Sequence, residues 1–278
     1  LHGLSRVRAI SQDDSHAFVR PDQIKDELVS IMEMVRDMYS TLGMEWFARL
    51  SLRDSSDKYL GDPKIWETAE KALSDICEDM KIEYVVGEGE AAFYGPKIDI
   101  MVRDALGREW QCATEQLDFV QPERFGLEYT DVDGSKQRPV MVHKALLGSI
   151  ERFLSVYIEH TAGRFPVWLA PEQIRIASVN QEEATVAYVK KIQNMAIEHG
   201  LRVVADNENE SVGKKIRNAE KAKIPYMLVI GEKEIETGGV TPRVRADLQV
   251  QDPSELPIEN FLKSVANEVK SRVSKSSL

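Results

Sequence analysis

Cysteine is scarce in this chain of 278 residues, which contains only Cys77 and Cys112. Two cysteines in separate segments exclude a disulfide-stapled secreted domain. Long apolar runs are also missing, so no segment reaches the roughly 20 residues of a membrane-spanning helix. The first residues lack the basic and then apolar layout of a secretory signal peptide. We therefore expect a cytoplasmic protein with free thiols and no membrane partner.

Positive charge is in deficit, because 36 Lys and Arg residues stand against 46 Asp and Glu residues, which gives a net charge of −10. This balance argues against a polyanionic partner. The acidic excess is confined to residues 1–166, however, since residues 167–278 carry 16 basic and 16 acidic side chains. This second part contains a local basic cluster, which consists of Lys214, Lys215, Arg217, Lys221 and Lys223. The cluster is either a solvated helix face or a phosphate-binding surface.

The hydrophobic share of 42% and the length predict two globular domains. Turn-forming Gly and Pro residues at 163–171 mark a linker, so we expect domains at 1–165 and 166–278. The first shows helical spacing at 21–42 and 63–80, strands at 46–52, 97–102 and 109–119, and a helix at 143–160. This pattern indicates an antiparallel sheet flanked by helices, an α+β arrangement.

The second part alternates strands with helices, which predicts a small α/β domain with a mainly parallel sheet. The predicted strands lie at 174–179, 201–205, 226–230 and 240–245, and the predicted helices at 182–199, 212–222 and 257–273.

Two histidines lie within dense polar signatures more than a hundred residues apart. His16 ends the run Gln12-Asp13-Asp14-Ser15-His16, and His143 ends Pro139-Val140-Met141-Val142-His143. A lone histidine is more often a surface or core imidazole than a metal ligand. The surrounding motifs decide between these readings.

Those motifs make the chain resemble the C-terminal part of the threonyl-tRNA synthetases, a family of class II aminoacyl-tRNA synthetases. The resemblance implies a catalytic domain with an antiparallel sheet, followed by an anticodon-binding domain. It also implies ATP-dependent activation of threonine, transfer to the 3′ end of tRNA, and a homodimer formed through the catalytic domain. The matching segments run nearly end to end: residues 1–8, 12–16, 87–97, 110–119, 139–153 and 168–171.

The resemblance also implies roles for individual residues. His16 and His143 match two of the protein ligands of a zinc ion. In the family this zinc binds the amino and hydroxyl groups of threonine. Engaging the hydroxyl is physically necessary, because a hydrophobic pocket alone separates threonine poorly from valine. The residues matching threonine contacts are Gln12, Asp14, Tyr94 and Gln116.

ATP, with Mg²⁺, would bind residues of the second and third signature motifs. Arg6 and Arg152 match the arginines that engage its phosphates and adenine, and Lys97 matches a cation near the reacting phosphate or the tRNA end. The alternatives without a functional role are a turn aspartate for Asp14, a helix-surface arginine paired with Glu151 or with nothing for Arg152, and a solvated lysine for Lys97. Further ATP contacts are expected at Gln111, Thr114 and Ser149, and tRNA contacts at Asn209, Lys214, Glu234 and Arg243.

One departure from the family pattern affects the expected activity. The chain begins inside the second signature motif and has no residue at the place of the family's zinc-binding cysteine. We therefore expect this sequence to be a fragment, or a longer chain given only from an ordered break onward. We also expect that residues 1–278 alone do not form threonyl-adenylate. Two rivals remain: a non-catalytic RNA-binding relative, and a prolyl, glycyl or histidyl synthetase of the same architecture.

Overall fold

The structure is a computed structural model that describes residues 1–104, 106–250 and 253–278. It divides into two compact units, Leu1–His160 and Thr161–Leu278. The assignment of functional domains to residues 1–165 and 166–278 stays a prediction.

A six-stranded sheet with the strand order β1-β8-β5-β4-β2-β3 forms the first unit. Its strand pairs are antiparallel except β2 with β3, as expected from the alternating strands. The elements of this unit are β1 (Ser15–Val19), α1 (Ile24–Leu42), β2 (Trp46–Leu52), α2 (Pro63–Asp79), β3 (Tyr84–Glu88), β4 (Lys97–Arg103), β5 (Glu109–Asp118), α3 (Val120–Arg124), β6 (Tyr129–Thr130), β7 (Lys136–Gln137), β8 (Val140–Ala145) and α4 (Ile150–His160).

The punctuation residues of the two long helices act as predicted. Pro21 lies in a single 3-10 turn before α1, and Gly43 ends α1 with a left-handed φ of 67°. Asp62 caps α2 by accepting a hydrogen bond from the backbone N–H of Lys64. Both helices bury one apolar stripe.

The prediction of a helix at 143–160 was wrong at its start, because His143 lies on β8 and the helix begins only at Ile150. Between them Gly148 has a φ of +63°, and a Cβ there would come within 2.3 Å of the Cys112 carbonyl oxygen. Glycine is therefore required at this turn, where the chain passes directly over β5.

The second unit contains a four-stranded sheet with the order β10-β9-β11-β13, in which the first three strands are parallel. This confirms the predicted α/β class. The prediction of one strand at 240–245 was wrong, because this segment contains two short strands that belong to different sheets. The elements are β9 (Ile174–Ser178), α5 (Glu183–Glu198), β10 (Val203–Asp206), α6 (Val212–Lys221), β11 (Tyr226–Ile230), α7 (Glu232–Thr237), β12 (Gly239–Val240), β13 (Arg243–Val244), β14 (Leu256–Pro257) and α8 (Ile258–Ser271).

Glu115 on β5 is a buried carboxyl group at 1% exposure. Neither of its oxygens has a hydrogen-bond partner in the described part of the chain. Burial raises the pKa of Glu115 well above 4.5, Glu27 adds to the rise, and Lys144 opposes it. Glu115 therefore keeps its proton to a higher pH than an ordinary glutamate, because ionising it inside the fold is unfavourable.

We expect Glu115→Gln to stabilise the chain at pH 8 by about 1–2 kcal/mol and to have little effect near pH 5. The unfolded chain releases this proton near 4.5, whereas the folded chain holds it to higher pH. Unfolding therefore releases a proton above pH 4.5, and wild-type stability falls as the pH rises through that window. Urea unfolding of both proteins at several pH values measures the difference. A difference independent of pH would contradict the raised pKa.

Candidate active site

A cleft of about 420 Å³ lies over β5 and β8 in the first unit. It brings together residues that are far apart in the sequence, from the N-terminal segment, from β5 and from the start of α4. Two guanidinium groups, two amides and two hydroxyls around one space form a set of donors suited to a phosphate-bearing ligand. The predicted site residues that line the cleft are Arg6, Gln12, Gln111, Thr114, Ser149 and Arg152.

A bulge in β5 places Gln111 and Thr114 on the same face of the sheet. Ile100 pairs with Ala113 and Met101 pairs with Gln111, so Cys112 is an extra residue in the ladder. In a regular strand, residues three apart point to opposite faces. The extra residue reverses the alternation, and both side chains reach the cleft.

Asp13, which the sequence did not single out, holds the turn between β8 and α4. Its carboxylate accepts hydrogen bonds from three consecutive backbone N–H groups, at 2.7 Å from Leu146, 3.0 Å from Leu147 and 2.9 Å from Gly148. This turn leads directly to Ser149 and Arg152. Asp13 thus determines where two cleft residues stand.

Arg152 is directed by the N-terminal segment. Its Nε donates to the Ser5 carbonyl oxygen at 3.3 Å, and its backbone N–H faces Ser149 Oγ. The predicted alternative, a pair with Glu151, is not formed among the described ion pairs. The Glu151 carboxylate instead accepts from the backbone N–H of Ser11 at 3.1 Å and from the Ser149 hydroxyl.

His16 and His143 lie directly opposite each other on β1 and β8. Their ring centroids are 4.6 Å apart in an edge-to-face arrangement. His143 Nε2 is 2.9 Å from Asp118 Oδ2, and the other Asp118 oxygen accepts from the backbone N–H groups of Val120 and Gln121. A fixed carboxylate bonded to one ring nitrogen is the usual support of a metal-binding histidine. The sequence did not identify Asp118 in this role.

The donor chemistry of this pair fits zinc, but only in part. A catalytic zinc normally has three protein ligands, and no group of three His, Cys, Asp or Glu side chains suited to a metal occurs among the described residues. With Nε2 of His143 engaged by Asp118, Nδ1 is the nitrogen left for a ligand. The pair would therefore supply two of the three ligands that such a site needs.

Tyr94 and Gln116 lie beside the histidines. The Tyr94 ring is 5.2 Å from the His143 ring, and its hydroxyl donates to Gln116 Oε1. Burial raises the pKa of Tyr94, and the carboxylates of Asp118 and Asp14 add to the rise. Asp14 itself is exposed.

Lys97 is not the solvated lysine of the alternative reading. Its side chain is 14% exposed, and its Nζ lies 2.5 Å from Oδ2 of the buried Asp99. Lys97 pairs in register with Gln116 on β5. Its cation is therefore held at the border between the histidine pair and the cleft.

The four residues predicted to contact tRNA lie on separate elements of the second unit, and no described contact joins them. Asn209 is exposed before α6, and Arg243 is exposed on β13. Lys214 forms an ion pair with Glu210. Glu234 accepts a hydrogen bond from the backbone N–H of Gly231 at 2.9 Å, so part of its carboxylate caps α7.

Lys215 does not belong to the basic surface, which corrects the sequence-based cluster. It is 1% exposed, and its Nζ donates to the carbonyl oxygens of Ser178 and Asp206 at 3.0 and 3.1 Å. One residue further along a helix lies about 100° round the axis, so Lys215 faces the sheet while Lys214 faces solvent. Lys215 ties together the carboxyl ends of β9 and β10.

We expect Lys215→Ala to destabilise the chain by about 3 kcal/mol, because several buried oxygen acceptors lose their cation. Lys214→Ala should leave stability within about 0.5 kcal/mol, because Lys214 is exposed. Urea unfolding of both variants measures the two effects. Equal stability losses from both variants would contradict the assignment.

Comparison with known proteins finds a separate match for each of the two compact units. A family model described as the tRNA synthetase class II core domain (G, H, P, S and T) matches residues 1–161, and one for an anticodon-binding domain matches residues 173–268. A threonine–tRNA ligase from Phocaeicola vulgatus is 45% identical over 99% of this chain, and one from Gloeobacter violaceus is 47% identical over 94%. The chain spans 42% of the length of each.

A solved structure also resembles this chain. It is described as the RNA binding domain of threonyl-tRNA synthetase from Cryptosporidium parvum Iowa II. It superposes with a TM-score of 0.88 at 38% identity, covering 100% of this chain and 67% of its own. The chain therefore belongs to the class II aminoacyl-tRNA synthetases, within the threonyl-tRNA synthetase family.

Proposed function

We propose that the chain forms most of the catalytic domain and the anticodon-binding domain of a threonine–tRNA ligase. The reaction joins threonine to ATP, forming threonyl-adenylate and diphosphate, and then transfers the threonyl group to the terminal ribose of tRNA. The observation that carries this proposal is the cleft, because six residues expected to bind threonine or ATP converge on it.

Activation requires a threonine carboxylate oxygen to attack the α-phosphorus of ATP while diphosphate leaves. Arg6 and Arg152 would neutralise the phosphate charges, Gln111, Thr114 and Ser149 would fix the nucleotide by hydrogen bonds, and ATP would bring Mg²⁺. Catalysis would come from positioning and electrostatic stabilisation, without a covalent bond to the enzyme. Lys97 would add a cation beside the reacting groups.

Threonine would bind next to the paired histidines. Asp14 would accept a hydrogen bond from the threonine hydroxyl, and Gln12, Tyr94 and Gln116 would hold its polar groups. Zinc held by His16, His143 and a third donor would supply a Lewis acid for the amino and hydroxyl groups. Rejection of valine would then follow from polar groups left unpaired by its methyl.

We expect about one zinc per chain in the full-length protein, and we expect His143→Ala to lose most of it. Asp118→Asn should weaken zinc binding by about 10-fold to 100-fold, because it removes the carboxylate that orients His143. Metal analysis and chelator competition measure both. Stoichiometric zinc that survives replacement of both histidines would refute this site.

The second unit would bind the anticodon stem-loop of tRNA. Its support is the match to an anticodon-binding domain and the exposed basic face of α6, formed by Lys214, Arg217 and Lys221. Asn209, Glu234 and Arg243 would read base edges, as single-stranded RNA is usually recognised. Base-reading variants should change anticodon preference, and phosphate-contacting variants should change salt dependence.

We further propose a homodimer formed through the catalytic domain and a cytoplasmic location. The buried free thiols of Cys77 and Cys112 support a reducing compartment. None of the described helices is long and apolar enough to cross a bilayer.

The deciding experiment is ATP–pyrophosphate exchange by the full-length protein across a panel of amino acids. Threonine should support exchange, and proline, glycine, histidine and valine should not. Exchange with proline, glycine or histidine would favour the related synthetases. RNA binding without exchange for any amino acid would favour the non-catalytic relative.

A further inference from the structure

Asp99, on β4, lies beneath the site and is fully buried. Its carboxylate accepts hydrogen bonds from five side chains. Three of these belong to predicted site residues, namely Lys97 at 2.5 Å, Gln111 at 2.6 Å and Thr114 at 3.0 Å. The other two are Ser51 at 3.0 Å and Arg49 at 3.2 Å on β2. With five donors on two oxygens, Asp99 has no free position for a metal or a substrate.

A carboxylate only accepts hydrogen bonds, and this fixes the direction of a chain that begins at Asp99. The Thr114 hydroxyl has one proton and gives it to Asp99 Oδ1, so its oxygen must accept from Gln116 Nε2 at 3.2 Å. The Gln116 carbonyl oxygen consequently faces Tyr94, whose hydroxyl donates to it. Asp99 also orients the Gln111 amide, which donates through Nε2.

We propose that Asp99 is a positioning residue that sets the donor and acceptor polarity of the site by this one-directional chain. The proposal rests on the proposed function, because it joins the nucleotide contacts Gln111 and Thr114 to the threonine contacts Gln116 and Tyr94. One buried carboxylate then prepares the binding groups for both substrates, although it touches neither.

The polarity has a consequence for specificity. While Thr114 donates to Asp99, its oxygen can only accept from Gln116 Nε2, so Gln116 must present its carbonyl oxygen toward Tyr94. An asparagine at position 99 donates as well as accepts, so Thr114 and Gln116 would be free to reverse. Reversal would place the Gln116 amide donor against Tyr94 and turn the Tyr94 hydroxyl proton away from Gln116, with little change in shape.

The test is a double-mutant cycle between Asp99→Asn and Tyr94→Phe in the full-length protein, read by ATP–pyrophosphate exchange. Asp99→Asn should lower kcat/KM for ATP by about 100-fold and raise the KM for threonine by about tenfold. Tyr94 has no described contact with Asp99, so a structural role for Asp99 predicts additive effects. The proposal predicts a combined loss about tenfold smaller than the product of the single losses.

Asp104→Asn is the matched control. Asp104 follows β4, its side chain is also fully buried, and it accepts from Arg108 at 2.6 Å and Trp110 at 2.8 Å, neither of which lines the cleft. This variant should change both KM values by less than about threefold and should combine additively with Tyr94→Phe. Coupling of Asp104 equal to that of Asp99 would overturn the proposal.

Thr114→Val keeps the test decisive if Asp99→Asn does not fold. Valine has a similar shape but breaks the chain at its middle, so its loss should also be non-additive with Tyr94→Phe. Additivity in both cycles would overturn the proposal. If the wild-type protein supports no exchange, the proposed function fails. Calorimetric binding of a non-hydrolysable ATP analogue then tests Asp99 separately, because weakened binding by Asp99→Asn and not by Asp104→Asn is still expected.

Discussion

Asp13→Ala is expected to lower the free energy of unfolding by about 3 kcal/mol, because three backbone N–H groups lose the charged carboxylate that accepts their hydrogen bonds. Asp13 is only partly buried, and it binds Leu146, Leu147 and Gly148 at distances of 2.7 to 3.0 Å. Water can replace part of these bonds, so the loss should stay below the sum of three charged hydrogen bonds. Urea unfolding followed by circular dichroism measures it.

The neighbouring Asp14 provides the control for this prediction. Asp14 is exposed, and no hydrogen bond to it occurs among those described. Asp14→Ala should therefore change stability by less than about 0.5 kcal/mol. In the full-length protein it should instead reduce threonine activation more than valine activation. Equal stability losses at the two positions would show that the turn before α4 does not depend on Asp13.

The two aspartates show which parts of the site can be predicted from sequence. The motif containing Asp14 and His16 predicted the threonine side, because its residues follow one another in the sequence. The partners of Asp13 lie more than 130 residues away, so no local pattern marks it. Asp118 and Asp99 were missed for the same reason, since both act on other site residues through contacts made by the folded sheet.

The fold was predictable where the pattern is regular. The helix start just after Pro21, the helix end at Gly43 and the strand at 226–230 agree with the sequence, because local chemistry decides them. The bulge at Cys112 could not be read from alternation, since strict alternation separates Gln111 and Thr114 onto opposite faces. Lys215 was misplaced because a charged residue was assumed to face solvent, although buried carbonyl oxygens satisfy it.

Replacement of Arg152 by alanine should reduce kcat/KM for ATP in pyrophosphate exchange by about 100-fold to 1000-fold. Arg152 lines the cleft, and its Nε is occupied by the Ser5 carbonyl oxygen. The two terminal nitrogens have no partner among the described residues and remain for the ligand. A guanidinium fixed at one nitrogen presents the other two in a rigid fork, which suits a phosphate. Binding of a non-hydrolysable ATP analogue should weaken in parallel.

Arg152→Lys separates charge from geometry, because lysine keeps the cation but has neither the planar fork nor a second nitrogen for Ser5. It should recover less than about a tenth of the lost activity. Arg36→Ala is the matched control, since Arg36 also donates to a backbone carbonyl, that of Met80, but does so away from the cleft. Arg36→Ala should leave the KM for ATP unchanged. Full activity in Arg152→Lys would mean that the site requires only positive charge, and the argument from the Ser5 contact would fail.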